Sequence, residues 1–140
     1  MILTDKKGNI LAIAKGDNHN VNPTERIIDV LSHAKDKTID IAHNHPSGSS
    51  FSFSDIQTLN TNTSIRTLSA IGHNGRKYYL TIPKGREVEK NILQKVYNDC
   101  YSESIQKSKT RVEKSDLLDY IQRTTIQLLA NKLNWKYKEG

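Results

Sequence analysis

The stretch IDIAHNHPSGSSFSFSDIQTL, residues 39–59, passes from a strand pattern to a helix pattern across one polar turn. Ile39 and Ile41 alternate with Asp40 and Ala42, which predicts a short strand over KTIDIAH, residues 37–43, with both isoleucines on one face. FSFSDIQTLN, residues 51–60, predicts a short helix capped by Ser52 or Ser54, because a serine hydroxyl can accept from the free N–H groups of a first turn. Between the two, Pro46 fixes its own φ and Gly48 lets the chain reverse.

Outward from that stretch the sequence goes on mixing strands with helices. MILTDKKGNILAIAKGD, residues 1–17, predicts a β-hairpin with strands at Met1–Thr4 and Ile10–Ala14 around a Lys7-Gly8-Asn9 turn. A chain that starts almost inside a strand is expected to be a fragment of a longer protein. NPTERIIDVLSHAK, residues 22–35, has helix-start chemistry: Asn22 can cap, Pro23 suits the first helical position, and Glu25 completes a capping box. Ile27, Val30, Leu31 and Ala34 then give it one apolar face. IRTLSAIGHNGRKYYLTIP, residues 65–83, predicts a second hairpin, two β-prone runs around Asn74-Gly75. Two helices follow, from about Arg86 to Ile105 and from Leu117 to about Trp135, joined by the polar connector QKSKTRVEKSD, residues 106–116. The second carries a stripe of Leu118, Ile121, Thr125, Leu128, Leu129 and Leu133. The order β-β-α-β-α-β-β-α-α predicts an α+β fold of mixed α/β layers. Residues 1–83 are the expected core, and residues 84–140 a helical extension packed on that core or on a partner.

The two histidines set a chemical question. Residues two apart on an extended chain point the same way, so His43 and His45 can converge on one cation. Asp55 falls in the first turn of the next helix, where its carboxylate can fold back towards them. Two imidazoles and a carboxylate are the ligand set of a catalytic zinc site, which keeps its fourth position for water. Bound zinc brings the pKa of that water from about 15.7 to about 7. Ser52 stands three residues before Asp55, an arrangement that is equally a plain helix cap with an acidic third position. The competing reading is a hydrogen-bonded polar loop that holds no metal.

HNHPSG, residues 43–48, followed by Ser52-x-x-Asp55, resembles the metal-binding signature of the JAB/MPN (JAMM) metalloprotease family: His-x-His-Pro, a spacer, then Ser-x-x-Asp, with a glutamate upstream. HNHPSGSSFSFSDI, with SAIGHNGRKYYL after it, is more similar still to JAB-like domains attached to bacteriophage head-morphogenesis (minor head) proteins and related phage toxins. The resemblance covers about residues 1–83. It implies a cytidine-deaminase-like mixed sheet with flanking helices, to which this chain adds a C-terminal helical pair.

The same resemblance implies that His43, His45 and Asp55 hold Zn2+ and that the Ser52 hydroxyl helps to hold a tetrahedral intermediate. In the family, zinc-activated water attacks an amide or isopeptide carbonyl and the upstream glutamate takes its proton. The implied partner is a protein or peptide substrate, or a phage or prophage structural protein, in the cytoplasm of a bacterial host or in the virion. Two departures stand out. The spacer from His45 to Ser52 is one residue shorter than the family's usual seven, which leaves Ser54 as an alternative to Ser52. NILAIAKGDN, residues 9–18, where the glutamate is expected, contains none. Asp17 and His19 follow that strand and are the available stand-ins for the general base, although an aspartate reaches less far. Loss of a general base costs about 10²–10⁴ in rate. Two functions therefore compete: a zinc-dependent hydrolase of peptide or isopeptide bonds, and a catalytically degenerate module of phage head assembly that keeps the metal.

Composition narrows the alternatives. The 140 residues are 35% hydrophobic with a mean hydropathy of −0.66, which predicts one domain with a small core and much polar surface. No apolar stretch is long enough to span a bilayer and no signal peptide opens the chain, so a protein of a reducing, aqueous compartment is expected. The net charge of +6 is spread over both halves without a basic run, so nucleic acid is a third and weaker reading. Tyr78, Tyr79 and the NWKYK tail could stack on bases, but strand packing and a helix end explain them more simply. The letters His-Asn-His do not make an HNH nuclease, whose residues are spread over a ββα unit. The single cysteine, Cys100, reads as a packed thiol among Val96, Tyr97 and Tyr101. His73 reads as a turn residue, and the C-terminal stripe as core or as a surface for homo-oligomers.

Overall fold

The computed structural model describes residues 1–15, 25–45, 50–72, 75–110 and 116–140. Strands β1 (Ile2–Thr4) and β2 (Ile10–Ile13) form an antiparallel hairpin. Its turn is closed by Asp5, whose carboxylate accepts from the N–H groups of Lys7 and Asn9. Helix α1 (Glu25–His33), strand β3 (Ile39–His45), helix α2 (Phe53–Thr61) and strand β4 (Ile65–Gly72) follow. Then come β5 (Lys77–Thr81), α3 (Lys90–Ser108), α4 (Leu117–Leu133) and β6 (Lys136–Glu139). The strands lie in one six-stranded sheet in the order β2-β1-β3-β4-β5-β6. Among the described residues β3 and β4 are the only neighbouring strands paired in parallel, and α2 supplies the crossover that a parallel pair requires. The fold is thus a mixed sheet with four helices among the described residues.

Strand alternation decides which side chains meet the helices. Ile39, Ile41 and His43 of β3, Leu68 and Ala70 of β4, and Tyr78 and Leu80 of β5 are buried on the same face. The apolar members of that set share one core with Ile27 of α1, Ile56 and Leu59 of α2, Leu93 and Cys100 of α3, and Ile126 and Leu129 of α4. Side chains from both sides of Pro83 therefore build the same interior. No helix among the described residues is long and apolar enough to cross a membrane.

Several elements differ from the sequence reading, each for a local reason. The last helix stops at Leu133 rather than near Trp135, because Asn134 takes a left-handed conformation with φ 57°. Asparagine is one of the few residues that tolerate it. The turn sends residues 136–139 back along β5, with Leu80 opposite Tyr137, so the tail is a sixth strand. Trp135 anchors the turn by donating its indole N–H to the Arg86 carbonyl at 2.9 Å. Helix α3 starts at Lys90 rather than Arg86, because the Glu89 carboxylate caps it by accepting from the N–H groups of Asn91 and Ile92. Leu118, expected in the buried stripe of α4, is 80% exposed, while Ile126 and Ala130 are buried in its place. Tyr78 is fully buried, which removes it from any stacking surface. The cap expected at Asn22, the first helical position expected at Pro23, the turn residues Pro46, Gly48, His73 and Asn74, and the stand-ins Asp17 and His19 lie outside the described residues.

Candidate metal centre

Strand β3 runs two residues further than the sequence reading, through His45, and this extension keeps both imidazoles on the core-facing side. The facing positions on β4 are small: Ala70 lies opposite His43 and Gly72 opposite His45. Two short side chains there leave room at the strand end for two rings, which meet edge to face at 4.5 Å between centroids. The third member comes from the start of α2. Ser52 is the N-cap, with its hydroxyl oxygen accepting from the Asp55 N–H at 3.2 Å. In return the Ser52 N–H donates to Asp55 Oδ2 at 2.8 Å, a complete capping box that fixes the carboxylate.

His45 Nε2 lies 3.1 Å from Asp55 Oδ2, and His43 Nε2 lies 3.7 Å from Asp55 Oδ1. One ligand atom from each of the three residues falls within 4.8 Å of the others. A tetrahedral zinc with bonds of about 2.0–2.1 Å holds its ligand atoms about 3.3 Å apart, and the two histidine–carboxylate distances, each to a different Asp55 oxygen, lie near that spacing. His43 Nε2 is the informative atom. It is buried and has no hydrogen-bond partner among the described residues, although a buried polar nitrogen is costly to leave unsatisfied. A cation between the three side chains would satisfy it. The donor set therefore fits a metal ion, on the geometry of the ligands and on the orphaned nitrogen alike.

Charge favours the ligand forms. Burial pushes the His43 pKa below its usual value, and the Asp55 charge only partly offsets this, so His43 is neutral at pH 7 as a ligand must be. Burial pushes Asp55 upward, but the hydrogen bond from His45, the neighbouring His43 and the Ser52 N–H together hold it below the usual carboxylate range. A pKa lowered on folding means that the unfolded chain binds more protons, so stability is complete above the ordinary value and is lost as pH falls. For His43 the loss begins below about 6.5, and for Asp55 below about 3.8. Urea midpoints of metal-free protein are expected to fall steadily from pH 7 to pH 4. An unchanged midpoint across that range would contradict the burial of His43.

His43, His45 and Asp55, expected together from the sequence, are brought together here. Ser52 takes the capping role that the sequence left open between Ser52 and Ser54, and Ser54 is exposed. Asp17 lies outside the described residues. Asp55 is the only carboxylate whose charge acts on His43 among them. Ala70 and Gly72 went unnoticed in the sequence. The signal was present as two small residues at strand spacing in SAIG, residues 69–72, but it acquires meaning only once β4 is aligned with β3. Comparison with protein-family models, with curated proteins and with solved structures gave no match.

Proposed function

We propose that this chain is a JAB/MPN-like zinc hydrolase of peptide or isopeptide bonds, with the metal held by His43, His45 and Asp55. The observation that carries the reading is the buried, unpartnered His43 Nε2 facing the same carboxylate as His45. Zinc would supply a Lewis acid there that lets water ionise near neutral pH. The protein's own part is positional. His43 and His45 offer two imidazoles from one strand, and Asp55 is oriented by its capping box. Ser52 uses its oxygen to accept from the Asp55 N–H, which leaves the hydroxyl proton free to donate to a developing oxyanion. The resemblance to phage head-morphogenesis domains extends the proposal to a phage or prophage protein as substrate or partner.

One observation favours a second reading, a metal-binding module without catalysis. Strand β2 contains no carboxylate, and no acid besides Asp55 acts on His43 among the described residues. The two readings separate by experiment. Metal analysis of purified protein is expected to give about one zinc per chain, and a chelator is expected to lower the unfolding temperature. Cleavage of a peptide and isopeptide panel, abolished by the chelator, would establish the hydrolase. Bound zinc with no cleavage would establish the module, and no bound zinc would reject both.

A further inference from the structure

Two side chains from the C-terminal elements reach the segment that leads into α2. Gln122 of α4 donates its side-chain N–H to the Phe51 carbonyl at 2.7 Å. Tyr137 of β6 donates to Glu139 at 2.9 Å, so its oxygen is left to accept from the Ser50 hydroxyl, 3.3 Å away. Ser50 and Phe51 are both fully buried. The Phe51 carbonyl and the Ser52 N–H belong to a single planar peptide unit, so fixing one fixes the direction of the other. That Ser52 N–H is the group that donates to Asp55 Oδ2 at 2.8 Å. A continuous chain of contacts therefore runs from α4 through one peptide plane to the carboxylate at the candidate metal centre.

We infer that Gln122 and Tyr137 are positioning residues for Asp55, so that the C-terminal helix and strand tune metal affinity without touching the metal. The inference rests on reading the triad as a metal centre. Its physical core, the control of the Ser52 peptide by Gln122, is testable without any metal. Neither residue belongs to the stretch that carries the metal signature, and both lie in the region to which the sequence resemblance does not extend.

The test compares Gln122→Met, which keeps length and removes the donor, and Tyr137→Phe with a control, Trp135→Phe. The control removes a hydrogen bond of the same C-terminal part that ends on Arg86 instead. In metal-free protein, amide exchange of Ser52 is expected to quicken between about two- and tenfold in Gln122→Met, the range that one net hydrogen bond supports. It is expected to stay unchanged in Trp135→Phe once exchange is corrected for global stability. Cobalt titration, followed by the visible absorption of the bound ion, is expected to show weaker binding by a similar factor in Gln122→Met and Tyr137→Phe, but not in Trp135→Phe. Unchanged Ser52 exchange in Gln122→Met would overturn the inference, as would equal weakening of cobalt binding in all three variants. If the wild type takes up no cobalt, the metal reading fails, and the exchange experiment still decides whether Gln122 sets the peptide.

Discussion

Replacing His43 with leucine is expected to abolish tight metal binding while leaving the metal-free protein at least as stable as the wild type. The two effects have separate causes. With His43 gone, one imidazole and one carboxylate remain, too few for a tight zinc site. Loss of an outer partner alone costs about 10–100-fold in metal affinity, and loss of a direct ligand should exceed that. Without metal, however, His43 is a liability. Its Nε2 is buried without a partner, a penalty of about 1–3 kcal/mol that an apolar side chain of similar size removes. Leucine also packs naturally beside Ile41 and Leu68 on that face. Calorimetric or urea unfolding of both proteins with and without zinc would check this. A metal-free variant clearly less stable than the wild type would show that His43 is structural in its own right.

Phe51→Ala is expected to cost about 3–5 kcal/mol, the usual loss for emptying a large aromatic site in a packed core. In a domain of this size that is a fall of about 10–20 °C in the unfolding midpoint. Phe51 is fully buried and stands immediately before the Ser52 cap, so its ring fixes the position from which α2 departs. Phe51→Leu keeps most of the apolar volume and is expected to recover much of the loss. A drop below about 1 kcal/mol for the alanine variant, in thermal or urea melts, would mean that the ring does not anchor the helix entry.

The sequence made the local chemistry of this protein readable and hid what depends on strand partners. Ile39 and Ile41 announced β3 by alternation, and Ser52 with Asp55 announced the start of α2 by capping chemistry, because both signals act within a few residues. Convergence of His43 and His45 followed from strand period alone. Ala70 and Gly72 could not be read as part of the site, since their role depends on the parallel register between β3 and β4. At residues 136–139 the sequence points to a helix end, because Lys136, Tyr137 and Lys138 carry no strong strand pattern. Pairing with β5 overrides that weak local preference. Gln122 was hidden for a similar reason: its partner is a carbonyl 71 positions away.

The last strand also changes which backbone stands at the edge of the sheet. Without Lys136–Glu139, the backbone of β5 would stand bare at the rim of the sheet, with Tyr78 and Leu80 behind it, as a ready template for another chain's strand. The residues that cover it bring Lys136 and Lys138, both exposed, to the new rim. Charged lysines on a short border strand discourage further pairing, so these four residues blunt that one edge of the sheet.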